Sequence, residues 1–68
     1  MDAGIRIRAI LKEDKMTMTD LAERMGVSRQ ALYKRCERDM TFSHFKEMLE
    51  AMGYKLYYTK DGKTLKKL

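Results

Sequence analysis

The chain has 68 residues, a formal charge of +5, one cysteine and one histidine. A chain this short builds one modest core at most and often gains stability by association. The cysteine and histidine counts exclude an internal disulfide and leave no zinc ligand set; no apolar stretch reaches transmembrane length and no signal-peptide core opens the sequence, so the expected location is the cytoplasm.

Residues 3–14 read as a first helix, with Asp2 as its cap. Ile7, Ile10 and Leu11 share a face and Asp14 extends the row, while Arg6, Arg8, Lys12 and Glu13 lie mostly outside. The stretch 16–36, MTMTDLAERMGVSRQALYKRC, holds two short helices and a tight turn. Thr17 caps the first, Asp20 completes a capping box, and Met16 with Leu21 forms a hydrophobic staple. Leu21, Ala22 and Met25 continue the apolar face. Gly26 ends this helix in the left-handed conformation. Ser28 caps the second helix, 29–36, and Val27 with Leu32 repeats the staple. Arg29, Gln30, Tyr33 and Lys34 face away from the core. Cys36 falls on the inner face as a small buried hydrophobe.

Residues 41–52 read as the next helix, capped by Thr41, with Met40 and Phe45 as its staple. Phe42, Phe45, Met48, Leu49 and Met52 line one face, so this helix is expected to fill the centre of the core, with His44 at the surface. Gly53 stops it. From Tyr54 the period changes to two: Tyr54, Leu56 and Tyr58 alternate with Lys55, Tyr57 and Thr59. Asp61-Gly62 is a strong two-residue hairpin signal. It predicts Thr59 opposite Thr64 and Tyr58 opposite Leu65. The fold class is therefore mainly α, four helices (1–53) followed by a β-strand or short hairpin, or a basic tail (54–68). A lone hairpin is marginal in water, which suggests a homodimer joined through this segment.

Positive charge is concentrated. Arg24, Arg29, Lys34, Arg35 and Arg38 face Glu37 alone across 24–38, and Lys55, Lys60, Lys63, Lys66 and Lys67 face Asp61 alone across 53–68. Such a cluster on one helix is the electrostatic footprint of nucleic-acid binding.

The order of Thr17, Leu21, Ala22, Met25, Gly26, Val27, Ser28 and Leu32 resembles the helix-turn-helix of the phage repressor and Cro-like (XRE-type) family, with flanking helices over roughly 5–54. The resemblance implies a lambda-repressor-like domain that binds double-stranded DNA and regulates transcription, most commonly as a repressor, in a prokaryotic or phage setting at the nucleoid. Its base-reading places fall on Ser28, Arg29, Gln30, Tyr33 and Lys34. Arg29 suits guanine and Gln30 adenine, each in bidentate fashion. Thr17, Met18 and Thr19 stand at a helix N-terminus that favours phosphate, and Arg38 is a further phosphate candidate. After Cys36 the family's common Glu-x-Gly is absent; Glu37-Arg38-Asp39 implies a slightly longer second motif helix.

The alternative function is a protein-interaction module, an antirepressor or toxin–antitoxin partner that keeps the fold without reading bases. No nucleophile–base pair, carboxylate dyad, metal cluster or phosphate loop is present in the sequence, so an enzyme is not expected, and neither is a cofactor, a metal or a small-molecule ligand.

Overall fold

The computed structural model describes residues 2–37 and 40–68. Four helices come first: α1 Ala3–Glu13, α2 Met18–Met25, α3 Arg29–Glu37 and α4 Phe42–Ala51. A two-stranded antiparallel sheet follows, β1 Tyr57–Tyr58 and β2 Lys66–Lys67. Among the described residues no helix is long and apolar enough to cross a membrane.

Each helix starts at a side-chain cap. The Asp2 carboxylate accepts from the Ile5 N–H (3.2 Å), Thr17 Oγ1 from Asp20 (3.1 Å), Ser28 Oγ from Ala31 (3.1 Å) and Thr41 Oγ1 from His44 (3.2 Å). Each bond satisfies one of the four orphan donors of a first turn. Three helices also end alike, with paired bonds of the Schellman type. After α1, Lys15 N–H donates to Lys12 O (3.2 Å) and Met16 N–H to Leu11 O (2.9 Å); after α2, Gly26 to Glu23 (3.2 Å) and Val27 to Ala22 (3.1 Å); after α4, Gly53 to Glu50 (3.0 Å) and Tyr54 to Leu49 (2.9 Å). Gly26 has φ 69°, as its place requires, but after α1 that place belongs to Lys15 at φ 55°.

One fully buried side chain from each helix meets at the centre: Ile7, Leu21, Leu32 and Met48. Ala22 and Leu11 pack around them, and so do Cys36, Leu49 and Met52. The core thus differs from the reading of residues 41–52 above. Phe45 is only partly buried and Phe42 is 59% exposed. Phe42 is the first residue of α4, and the inward row begins one turn later. His44, expected at the surface, is half-buried.

Gly4 permits the α1–α3 crossing. A Cβ built there would overlap the Cys36 carbonyl oxygen and lie 3.0 Å from its carbonyl carbon.

The hairpin exists, but in another register. Tyr57 faces Lys67 and Tyr58 faces Lys66, one residue from the expected pairing. The register differs because the Asp61 carboxylate, and not a left-handed Asp61 backbone, turns the chain. Its Oδ1 accepts from the Lys63 and Thr64 N–H groups, both at 2.8 Å, and from the Thr59 hydroxyl at 3.2 Å, while Gly62 N–H donates to Thr59 Oγ1 at 3.0 Å. Only Gly62 takes positive φ in this loop. A one-residue slip turns side chains to the other face, and Leu65 is left 62% exposed. Leu56 is partly buried against the core, and the Leu68 N–H donates to its carbonyl at 2.9 Å. Tyr54, expected in the strand, instead donates its hydroxyl to the Asp14 carboxylate (2.7 Å to Oδ2).

Candidate nucleic-acid interface

Two helix starts and one helix face make up the site. At α2, Thr17 and Asp20 close the capping box: Asp20 N–H donates to Thr17 Oγ1 and Thr17 N–H donates to Asp20 Oδ2 at 2.9 Å. The Thr17 backbone N–H and then its hydroxyl hold the Asp20 carboxyl below the ordinary carboxylate range. The N–H groups of Met18 and Thr19 have no partner among the described residues, so they retain the dipole-aligned donors that suit a phosphate. Thr17 and Thr19 are exposed, whereas the Met18 side chain is buried in the core. Met18 can therefore offer a phosphate its N–H only.

The turn at Gly26 then delivers α3. Leu32 and Cys36 point inward, and Arg29, Gln30, Tyr33 and Lys34 are exposed on the other side. These four occupy two successive turns of one face, as the 3.6-residue period requires. The Ser28 oxygen accepts from the Ala31 N–H, which leaves its O–H proton available to a ligand. Ser28, Arg29, Gln30, Tyr33 and Lys34 are thus brought together. Arg38 lies outside the described residues.

The basic cluster of 24–38 divides in three dimensions. Arg24 donates to the Ala51 carbonyl at 3.4 Å, at the C-terminus of α4 where a cation is favoured. Arg35 pairs with Glu47 of α4 at 3.8 Å. Both cations serve helix packing. Arg29 and Lys34 remain on the outward face of α3.

Arg8 joins this face, which the sequence reading had not foreseen. Its guanidinium carbon lies 5.6 Å from the centroid of the Tyr33 ring, and that of Arg29 lies 5.7 Å from it. Each such contact is worth about 0.5–1 kcal/mol at an exposed site. A signal was available: Arg8 stands four residues after Gly4, hence on the face of α1 that meets α3.

Burial pushes the Cys36 thiol up from its ordinary value, with the Arg8 charge partly opposing. The protonated thiol is the inert, packing form of cysteine. Among the described residues no three His, Cys, Asp or Glu side chains are grouped as a metal would need.

Residues 7–58 match the family model described as Helix-turn-helix. Neither a curated protein nor a solved structure matches the chain.

Proposed function

The chain belongs to the helix-turn-helix family of the phage repressor and Cro-like type, a DNA-binding regulatory family, and from that premise we propose a repressor that reads the major groove of double-stranded DNA with α3. The observation that carries this reading is the exposed face of α3, with Arg29, Gln30, Tyr33 and Lys34 outward and Leu32 and Cys36 in the core. Arg29 presents a planar fork to guanine O6 and N7, and Gln30 presents its amide to adenine N6 and N7. Ser28 and Lys34 reach a base edge or the adjoining phosphate. Tyr33 contacts a thymine methyl or a phosphate. Thr17 and Thr19, with the free N–H groups of Met18 and Thr19, clamp a phosphate at the start of α2. The location that follows is cytoplasmic, on the DNA of a prokaryote or phage.

The same reading includes a homodimer. Among the described residues the sheet has two strands and both edges open, and Tyr57 and Tyr58 are about half exposed. A second copy would extend a hairpin that is marginal alone. Sedimentation across a concentration range tests this: monomer mass at every concentration removes the dimer and leaves the reader.

Selection from a random duplex pool at near-physiological salt tests the whole. The expected result is an inverted repeat with half-sites about one helical turn apart. A single enriched half-site keeps the reader without two-fold assembly. Folded protein that enriches nothing removes base reading.

A further inference from the structure

Tyr33 joins two helices through its ring. Arg29 approaches it from one turn earlier on α3 and Arg8 approaches it from α1. Tyr33 is still 36% exposed. Among the described residues neither guanidinium has a carboxylate within ion-pair distance. Two like charges are therefore gathered at one ring with no ion-paired carboxylate among the described residues. The ring quadrupole offsets part of their repulsion. A polyanion arriving at the same place would offset the rest.

The two arginines stand differently. Arg29 springs from the first turn of α3, the end of a reading helix that faces base edges. Arg8 springs from the neighbouring helix and lies over the same ring, so it enters from beside α3, at the margin of anything α3 enters. Phosphates line that margin and base edges do not. An arginine stacked on a ring also loses less freedom when it binds, because its planar fork is already oriented.

We propose that Arg8 contacts a DNA phosphate beside the groove occupied by α3, and that Tyr33 is a positioning residue whose ring holds Arg29 toward its base and Arg8 toward the backbone. This rests on the reading of α3 as the base-reading helix. It alters what Tyr33 does: the ring, and not the hydroxyl, is the working part.

The test uses the full chain with Tyr33→Phe, Tyr33→Leu and Arg8→Ala. Each is measured on the duplex the wild type enriches and on single-base variants of it, over a salt series. Tyr33→Leu should lower discrimination at one base position roughly tenfold, the loss of a well-held bidentate pair. Tyr33→Phe should keep discrimination within about twofold. Arg8→Ala should reduce the slope of log affinity against log salt by about one and leave base preference unchanged. In the free protein, side-chain protons of Arg8 and Arg29 should show ring-current shifts that Tyr33→Phe keeps and Tyr33→Leu abolishes. The proposal is overturned if Tyr33→Phe is as defective as Tyr33→Leu, if Arg8→Ala leaves the salt slope intact, or if the shifts are absent in the wild type. Should the wild type select a sequence while any of these fails, this inference falls alone. Should the folded wild type select nothing, base reading fails and takes the role of Tyr33 with it, whatever the ring-current shifts report.

Discussion

Gly4 of α1 lies directly against the main-chain carbonyl of Cys36 in α3, with no space for a side chain between them. The obstacle to a larger residue is backbone, which cannot swing aside as a flexible side chain would. Gly4→Ala must push α1 away from the helix that carries Arg29 and Lys34. Overpacking of this kind costs about 1–3 kcal/mol. Urea unfolding should show that loss, against the small gain an alanine brings to an open helix position.

Lys15 predicts the opposite effect. It closes α1 at φ 55°, a conformation that costs an L-residue about 1–2 kcal/mol. Glycine would be free of that cost but would lose about 0.5–1 kcal/mol through its looser unfolded chain. Lys15→Gly should therefore stabilise the domain by roughly 0.5–1 kcal/mol, read as a higher urea midpoint. Lys15→Ala keeps the Cβ and should bring no gain.

Stability should fall at both ends of the pH scale, for separate reasons. The Thr17 N–H and hydroxyl hold the Asp20 carboxyl low, and the Thr64 and then Lys63 N–H groups, with the Thr59 hydroxyl, do the same for Asp61. A depressed folded value gives stability that is complete above the unfolded value, about 3.9, and is lost as pH falls through the folded one. Tyr54 is raised, first by its bond to Asp14, so its contribution is complete below the unfolded value, about 10, and is lost as pH rises through the folded one. Urea midpoints should drop less between pH 5 and 2 in an Asp20→Asn, Asp61→Asn variant than in the wild type. Tyr54→Phe should flatten the decline above pH 10.

Arg29 and Arg24 should separate cleanly, though both belong to one basic stretch of sequence. Arg29→Ala should cost on the order of 1–3 kcal/mol on the preferred duplex and relax one base position. Equal losses on preferred and random DNA would make Arg29 a phosphate contact. Arg24 donates to the Ala51 carbonyl, so Arg24→Ala should leave base preference unchanged and lower stability by about 0.3–1 kcal/mol.

What the chain declares openly is local. Thr17, Asp20, Gly26, Ser28 and Thr41 act within three residues of themselves, so their spacing alone announces the helix ends, and α2, the turn and α3 stand where they are expected. The described part of α3 reaches Glu37, one residue beyond the 29–36 reading. Gly4 and Arg8 were missed because their partners, Cys36 and Tyr33, lie far along the chain. The hairpin register was missed for a third reason. Asp-Gly can turn through two left-handed residues or through a carboxylate that gathers N–H groups, and sequence order does not distinguish the two. For the candidate site, the exposed face of α3 was readable from its period. The diversion of Arg24 and Arg35 into packing was not, because it depends on where α4 comes to rest.

Ile7, Leu21, Leu32 and Met48, one from each helix, meet in a single knot. Leu32 belongs to that knot while Arg29, Gln30 and Lys34 on the same helix take no part in it. On the proposed reading of α3, exchange of those outward residues changes the target sequence by point substitution while the buried core stays intact. The scaffold is in this sense evolvable on one side and conservative on the other.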